Sequence, residues 1–379
     1  MEIYLDNNAT TTPLPQVVSA MAECLQKVYG NPSSSHQKGR QALRALDSAR
    51  SKVAEFFGVD DDEVIFVSGA TEANHAVLID SFLKEDTFLI TTAAEHPSAH
   101  GVFLGSQERI RFVPILKTGQ IDLVKFEDEV AKHPNSLISI GWVNSETGII
   151  QPVEELCRIA RKFGATILID GSQAAGRLPK SAFDFDYDYL SISAHKMNGP
   201  KGVGCLLVGE NASPIFSLRG GGQERGYRSG TENIPAIVGF GVACEERSHT
   251  LSSDLKRMRK MRDAFEKTLS ESGLNVQING QHGDRVPSAS NVLFPALDAM
   301  ALVARCDASG VFFSQVSACS TSRPEPSKTL IAMGLSENDA YSSVRLSLSV
   351  LSNEAEIGKA AKLIINEAKG IAALLGGHE

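Results

Sequence analysis

The stretch "SISAHKMNGPKGVG", residues 191–204, places Lys196 directly after a short apolar run that is typical of a β-strand. Most lysines are exposed surface charges, whereas this one follows Ser193 and His195 at the end of a predicted strand. Gly199 and Pro200 come next and predict a sharp turn. A lysine between a buried strand and a tight turn indicates a functional role, and the rest of the sequence indicates which one.

Six short apolar runs, including the one before Lys196, alternate with helical patterns between about residue 60 and residue 210. The predicted strands are VIFV (64–67), TFLIT (87–91), LISIGWV (137–143), TILID (166–170), YLSIS (189–193) and GCLLV (204–208). This alternation predicts an α/β fold with a mostly parallel central sheet and helices on both faces. Strands without polar interruptions suit a sheet that is buried on both sides.

Outside this region the sequence predicts a second unit. A helical pattern at residues 40–57 precedes the alternating region, and another at residues 255–272 follows it. From about residue 256 the predicted order is helix, strand (SNVLF), helix, strand (VRLSLS), helix. That order is typical of a smaller α+β domain. The predicted division is an N-terminal segment, residues 1–14, that packs on the domains, a large domain, residues 15–255, and a small C-terminal domain, residues 256–379.

Composition narrows the classes of function. The chain has 379 residues and a net charge of −8, which argues against a broadly basic surface, so no direct nucleic-acid binding is expected. No apolar stretch reaches the roughly 18 residues of a membrane span, and the N-terminus has no signal-peptide pattern. The six cysteines form no C-x-x-C pair and no zinc spacing, so no metal is expected. Unpaired thiols predict a reducing, cytoplasmic location.

The chemistry-bearing residues fall at the ends of the predicted strands, where ligands bind in open parallel sheets. Asp170 ends one strand and Lys196 follows another. Together they predict a carbonyl-bearing cofactor, because a lysine forms a Schiff base and a carboxylate pairs with a protonated ring nitrogen. SGAT, residues 68–71, opens a helix directly after a strand and would bind a phosphate. Taken alone, the same pattern is an ordinary helix N-cap.

Ten short segments across nearly the whole chain match one family in their order and spacing. They are YLDNNATT, GNPSSSHQKGR, SGATEAN, AEHPS, VNSETG, ILIDGSQAAG, SAHKMNGPKGVG, RGGGQERGYRSGTEN, VSACSTSRPEPS and SSVRLSLS. The chain resembles the cysteine desulfurases of the NifS/IscS type. The resemblance implies the fold of the fold-type I transferases that depend on pyridoxal 5'-phosphate, with that molecule as cofactor.

The resemblance also implies roles for individual residues. Lys196 would be the Schiff-base lysine and general base, Asp170 the partner of the pyridine nitrogen, His96 the stacked ring, and Gln173 the partner of the phenolic oxygen. The implied phosphate ligands are Ala70 through its backbone, Thr71, Ser193, His195 and, from the second subunit of a homodimer, Thr231. Asn144 and Arg345 would bind the substrate, since the fork of an arginine matches a carboxylate.

Two of these residues have plainer readings. His96 could simply cap a helix start before Pro97, and Arg345, in an alternating strand, could face solvent.

Cys319 lies in FSQVSACSTSRPEPS, which is poor in aliphatic residues and predicts an exposed, adjustable loop rather than a buried thiol. In the family such a loop cysteine attacks the sulfur of the bound substrate, which makes Lys196, His96 and Cys319 the expected catalytic residues. Val316 stands where the family has a glycine and is expected to stiffen the loop.

The function that the resemblance implies is conversion of L-cysteine to L-alanine, with the sulfur held as a persulfide and delivered to an acceptor protein. Iron–sulfur assembly, tRNA thiolation and DNA phosphorothioation are the expected routes. The short C-terminal sequence AALLGGHE weakens the expectation of a usual iron–sulfur scaffold contact. The alternatives are a selenocysteine lyase, a class V aminotransferase and a non-catalytic scaffold of a sulfur system.

Overall fold

The structure, a computed structural model, describes residues 2–84, 86–213, 215, 218–315 and 325–376. After the short strand β1 (Ile3–Tyr4), seven strands form the central sheet: β2 (Val64–Val67), β3 (Leu89–Thr92), β4 (Ile110–Val113), β5 (Leu137–Gly141), β6 (Thr166–Asp170), β7 (Tyr189–Ser193) and β8 (Gly204–Val208). Their lateral order is β2-β8-β7-β6-β5-β3-β4. Strand β8 is antiparallel to both of its neighbours, whereas all other pairs are parallel, so the predicted mostly parallel sheet is confirmed.

Both faces of this sheet are buried, because successive side chains of a strand point to opposite sides. In β2, Val64 and Phe66 pack into one apolar cluster, while Ile65 and Val67 pack into another. The first cluster contains residues of helices α2 (Gln37–Phe57), α4 (Leu123–Lys132), α5 (Val153–Lys162) and the N-terminal half of α6 (Ile234–Ser270). The second contains residues of α3 (Ala70–Phe82). Helix α1 (Pro15–Lys27) packs against α6.

A second core lies around a four-stranded antiparallel sheet. This sheet consists of β9 (Gln277–Ile278), β10 (Ala289–Leu293), β12 (Ser314–Gln315) and β13 (Ser343–Ser347). The remaining elements here are α7 (Ala299–Ala308), β11 (Val311–Phe312), α8 (Lys328–Ala332), α9 (Glu337–Tyr341) and α10 (Glu354–Gly376). Strand β1 pairs with β11, and Ile3 and Leu5 are buried in this core.

The N-terminal segment connects the two cores. Beyond Leu5 it approaches the end of β7, where Thr11 N donates to His195 O over 2.9 Å and Leu14 N donates to Asn198 O over 3.0 Å. This route places the backbone of Asn8 and Ala9 beside Lys196. The N-terminal segment therefore forms one wall of the site described below.

The helix predicted over residues 255–272 exists but begins much earlier than predicted, at Ile234. The predicted range covers the C-terminal part of α6, whose first turn carries Pro235 and whose N-cap Asn233 accepts a hydrogen bond from Ala236 N. The first half of α6 packs in the larger core, and its second half contributes Met258 and Phe265 to the smaller one. The helix crosses residue 255, and the division into domains at that residue stays a prediction. In the part of the chain that the structure describes, no helix combines the length and apolar character needed to cross a membrane.

Candidate active site

A cavity of about 400 Å³ opens at the carboxyl ends of the parallel strands. The predicted residues that line it are Ala70, Thr71, His96, Asn144, Asp170, Gln173, Ser193, His195, Lys196 and Arg345. They come from strand ends and loops that lie far apart in the sequence. The parallel sheet gathers them because the carboxyl ends of its strands meet at one edge.

One end of the cavity lies at the start of α3. The N-cap residue of this helix is Gly69, and no side chain forms a capping hydrogen bond there. The plainer interpretation, in which a serine or threonine of SGAT caps the helix, is therefore wrong. Ala70 N donates to Ser193 Oγ over 2.9 Å, which holds the hydroxyl of β7 against the helix N-terminus. Burial lowers the pKa of His195 to about 4, and the nearby Lys196 adds to this effect. A neutral imidazole, a hydroxyl and helix amides suit a phosphate group.

Asp170 lines the same cavity at the end of β6. Its Oδ2 accepts from Asn74 Nδ2 and its Oδ1 from Ser172 N, each over 3.0 Å. Both oxygens keep a further lone pair, because a carboxylate oxygen accepts two hydrogen bonds. The carboxylate is thus fixed in orientation and still able to accept from a protonated ring nitrogen.

His96 both caps a short helical turn and lines the cavity. Its Nδ1 accepts from Ser98 N over 3.2 Å and lies 2.8 Å from Ser98 Oγ. The plainer capping interpretation is therefore correct, and it does not exclude the functional one. Burial lowers the pKa of His96 below its ordinary value, with a further contribution from Lys196. A neutral ring fixed at one nitrogen is suited to stacking on an aromatic cofactor.

Lys196 reaches the cavity from the turn after β7. Its Nζ donates to Asn8 O over 2.7 Å and to Ala9 O over 2.8 Å. Burial lowers its pKa to about 8, and the charge of Arg177 is the next cause. Near neutral pH the amine is therefore much closer to its nucleophilic, neutral form than an exposed lysine would be.

Arg345 does not face solvent, so that alternative is wrong. Its Nη2 forms an ion pair with Asp6 Oδ1 at 2.7 Å, and only 15% of its side chain is exposed. Asn144 lines the same wall, but its own amide is already used. Its Nδ2 donates to Ala94 O and Thr329 Oγ1, and its Oδ1 accepts from the loop that follows it. A substrate would bind Arg345 more directly than Asn144.

Three buried polar atoms on the cavity wall have no partner among the described residues. They are Asn8 Oδ1, Ser172 Oγ and Arg345 Nε. Buried polar groups are nearly always hydrogen-bonded, so these atoms indicate a polar ligand. Together with Asp170, His96 and Lys196 they fit pyridoxal 5'-phosphate and an amino acid.

Two predicted residues are not brought to the cavity. Thr231 lines a separate cavity of about 220 Å³ beside Ser68 and Arg228. Cys319 lies outside the described residues. The described cysteines, Cys24, Cys157, Cys205, Cys244 and Cys306, are buried.

Sequence reasoning missed Glu95, although it directly precedes His96 in the quoted segment AEHPS. Its Oε1 accepts from Thr92 Oγ1 over 2.8 Å and its Oε2 from Gly141 N over 2.6 Å. A side chain at Gly141 would approach this carboxylate to 2.8 Å, so the glycine is needed for the contact. Burial raises the pKa of Glu95 to about 7, and the charge of Asp170 adds to this.

Glu95→Gln is therefore expected to become relatively more stable than the wild type as pH rises from 5 to 8. The folded-state pKa lies above the unfolded value of 4.5, so the folded wild type binds more protons in this window and loses stability as pH rises through it. The full difference is roughly 3 kcal/mol. Urea unfolding at several pH values measures it, with the exposed Glu55→Gln as control. A difference between Glu95→Gln and wild type that stays constant across this range would contradict the assignment.

Glu146 was also missed, and it links the cavity to the chain that follows Cys319. Its carboxylate accepts from the hydroxyl of Ser327, which also caps α8 by accepting from Leu330 N over 3.0 Å. Burial raises the pKa of Glu146 to about 7. Asn144 contacts Thr329 in the same helix. The first turn of α8 is thus held beside the cavity wall.

Comparison with known proteins agrees with this geometry. The family model for class-V aminotransferases matches residues 3–359. A cysteine desulfurase of Nostoc sp. is 35% identical over 367 residues, which are 96% of this chain and 92% of the relative. A solved NifS-like protein has a TM-score of 0.88 and 34% identity, covering 97% of this chain and 99% of its own. A structure described as SspA in complex with cysteine has a TM-score of 0.78 and 29% identity, covering 93% of this chain and 100% of its own. The chain belongs to the class-V aminotransferase family, in the group that contains the cysteine desulfurases and NifS-like proteins.

Proposed function

We propose that this protein is a pyridoxal-phosphate-dependent cysteine desulfurase. The observation that carries the proposal is the single cavity lined by Lys196, Asp170, His96 and Arg345. Relatives that match nearly the whole chain bear the name cysteine desulfurase, and the related SspA was solved with cysteine. The fold is shared with other activities, so the function rests on the site rather than on the fold.

The cofactor would lie between Asp170 and the start of α3, with His96 against its ring and Gln173 at its phenolic oxygen. When bound, pyridoxal phosphate supplies an electron sink that stabilises negative charge on the α-carbon of an amino acid. Thr71, Ser193 and His195 would hold the phosphate. All of these residues line the cavity.

Arg345 would bind the carboxylate of L-cysteine, because its Nε is buried without a partner and Asp6 fixes its guanidinium. Lys196 would remove the proton from the α-carbon, for which a buried amine with a pKa of about 8 is suited. The Cys319 thiolate would then attack the sulfur of the substrate and break the bond from sulfur to the β-carbon. Cysteine and an enzyme thiol thus give alanine and an enzyme persulfide, and no external oxidant or reductant is needed.

The test is a product balance with purified protein, added pyridoxal phosphate, L-cysteine and a thiol reductant. Equal amounts of alanine and sulfide are expected. An aminotransferase would instead convert cysteine to 3-mercaptopyruvate in proportion to an added keto acid, without releasing alanine. A protein that pyridoxal phosphate cannot reconstitute, and that forms neither product, would favour the non-catalytic scaffold. A much higher turnover of selenocysteine than of cysteine would favour the selenocysteine lyase.

We also propose that the active unit is a homodimer. Thr231 lies outside the cavity of its own chain, at a wall that a second subunit could cover. An apolar groove lined by Val18, Met21 and Leu25 of α1 and by Pro200 is open to solvent, and Leu25 is 65% exposed. Exposed apolar patches of this kind mark protein–protein contacts. The unpaired thiols suit the cytoplasm, where the persulfide would pass to an acceptor protein of iron–sulfur assembly, tRNA thiolation or DNA phosphorothioation.

Thr231→Ala is expected to weaken cofactor retention without unfolding the chain. The lost contact is one hydrogen bond to a charged phosphate, roughly 1.5–3 kcal/mol, or about a 10- to 150-fold rise in the dissociation constant of the cofactor. Thr231→Ser, which keeps the hydroxyl, is the matched control and should stay near the wild type. Equilibrium dialysis measures retention and sedimentation measures assembly. A fully active monomer would contradict the proposal.

A further inference from the structure

Arg177 is buried beside the active site without a charged partner. It is 4% exposed, and within the described ranges no carboxylate lies within ion-pair distance of it. Other buried arginines of the chain do have such partners: Arg50 pairs with Glu224, Arg247 with Asp254, and Arg285 with Glu266. A buried charge without a counter-charge is costly, and such exceptions concentrate at functional sites.

The donors of Arg177 are directed at the segment that lines the Lys196 side of the cavity. Its Nη2 donates to Asn7 O over 2.9 Å, and its Nη1 donates to the side-chain oxygen of Gln173. With that oxygen occupied, the Gln173 amide is fixed in orientation, and its Nε2 donates to Asn8 O over 2.9 Å. Arg177 therefore fixes residues 7 and 8 both directly and through Gln173.

The same segment carries both acceptors of the Lys196 amine, Asn8 O and Ala9 O. A neutral amine has two N–H donors, and these two carbonyl oxygens satisfy both. An ammonium has a third proton, for which the chain as described offers no further acceptor within hydrogen-bond distance. The backbone thus fits the neutral amine and leaves its lone pair free.

The charges around the amine act in both directions: Arg177 and Arg345 lower the pKa of Lys196, whereas Asp170 and Asp6 raise it. The charged and titratable groups that face Lys196 are Arg177, Arg345, Asp170, Asp6, His96 and His195. The charge of Arg345 is offset by its ion pair with Asp6, and burial keeps both imidazoles neutral near pH 7. Arg177 has no ion pair of its own among the described residues, and after burial it is the largest cause of the lowered pKa of Lys196, ahead of the opposing charge of Asp170.

We propose that Arg177 is a positioning residue for Lys196. It fixes, through Asn7 and Gln173, the carbonyl oxygens that hold the amine, and its charge opposes a third proton on that amine. The inference rests on the proposed function, in which Lys196 acts as a neutral amine. It assigns a reason for a buried cation that touches neither the substrate pocket nor any carboxylate in the described structure.

The test measures the protonation of Lys196 without turnover. The full chain, freed of cofactor, is treated with traces of acetic anhydride at pH 6–11. Mass spectrometry then compares acetylation of the Lys196 peptide with that of Lys256, an exposed lysine of α6. The wild type is expected to show a midpoint near 8 for Lys196. In Arg177→Gln, which keeps a hydrogen-bond donor but no charge, the midpoint should rise by about one pH unit or more, a roughly tenfold smaller reactive fraction at pH 7.

Arg177→Lys is the matched variant, because it keeps the charge and should keep the midpoint near that of the wild type. A Gln variant with an unchanged midpoint would overturn the proposal. The proposal would also be overturned if the melting temperature fell equally in both variants and neither shifted the Lys196 midpoint. That result is the one expected of a purely structural residue. If neither variant folds, the acetylation midpoint of Lys196 in the wild type still tests the proposal. A midpoint in the range of an ordinary exposed lysine would overturn the proposal.

The same preparations separate this inference from the proposed function. Wild type that forms no alanine or sulfide from cysteine would overturn the desulfurase proposal, while the measured shift in Arg177→Gln would stand. Wild type that turns over cysteine, with no shift in Arg177→Gln, would overturn the inference alone.

Discussion

Lys196→Ala is expected to purify without the visible absorbance of a lysine-linked pyridoxal phosphate and to lose cysteine turnover by at least about 10²–10⁴-fold. Among the residues that the structure describes, Lys196 is the only lysine that lines the cavity, and its amine faces both Asp170 and Arg345. Removing it takes away the nucleophile that would link the cofactor and the base that would move the α-proton. Thr71, Ser193 and His195 remain, so weak noncovalent binding of the cofactor should persist.

Absorbance spectra and reductive trapping with borohydride, followed by peptide mass mapping, measure this loss. The exposed Lys256→Ala is the control and should keep both the band and turnover. An unchanged band in Lys196→Ala would place the covalent link on another lysine, and with it the central assignment of the site would be wrong.

The central sheet was predictable because its strands are short apolar runs closed by turn residues. The predicted strands at 64–67, 166–170, 189–193 and 204–208 have the same bounds in the structure. Strand β4 was missed, since it is a sheet-edge strand whose Phe112 is 56% exposed, so it has no continuous apolar pattern. The extent of α6 was missed because the pattern of buried residues changes along this one continuous helix. Its first half packs in the larger core and its second half in the smaller core.

Side chains of the site were predictable where a reactive or charged residue lies at or just after the end of a predicted strand, as for Asp170 and Lys196. The contacts that tune them were not. Asp6 and Arg345 are 339 residues apart in the chain, and nothing local to either residue indicates their ion pair. The acceptors of the Lys196 amine are backbone carbonyl oxygens, which every residue has, so residue identity cannot indicate them. The contact of Arg177 with Asn7 O has both features, because it joins residues distant in the sequence and its acceptor is a backbone carbonyl oxygen.

The described residues before and after the segment that contains Cys319 contact residues near the site. On one side, Ser314 pairs with Arg345 in the β12–β13 ladder, and Gln315 Nε2 donates to Tyr341 O over 3.0 Å. On the other, Ser327 is bonded to Glu146 beside the cavity wall. The described chain on both sides of that segment therefore borders residues of the site.

Cys319→Ser is expected to fold, to bind the cofactor and to bind cysteine, because Lys196, Asp170 and Arg345 are unchanged. Its rate of alanine and sulfide formation should fall by at least about 10³-fold, since a serine hydroxyl offers no thiolate to accept the sulfur. Spectral change on adding cysteine measures binding, and alanine release measures turnover. Cys24→Ala, which removes a buried thiol of α1, is the control and should keep turnover.

The sulfur itself identifies the accepting thiol. Wild type incubated with cysteine should gain the mass of one sulfur atom on the peptide that contains Cys319, and a reductant should remove it. Buried thiols are poor acceptors, because burial raises the pKa of Cys306 to about 12 and leaves almost no thiolate at neutral pH. Normal turnover by Cys319→Ser, or sulfur found on Cys306 instead, would mean that another nucleophile takes the sulfur, and the proposed mechanism would be wrong even though the family assignment stands.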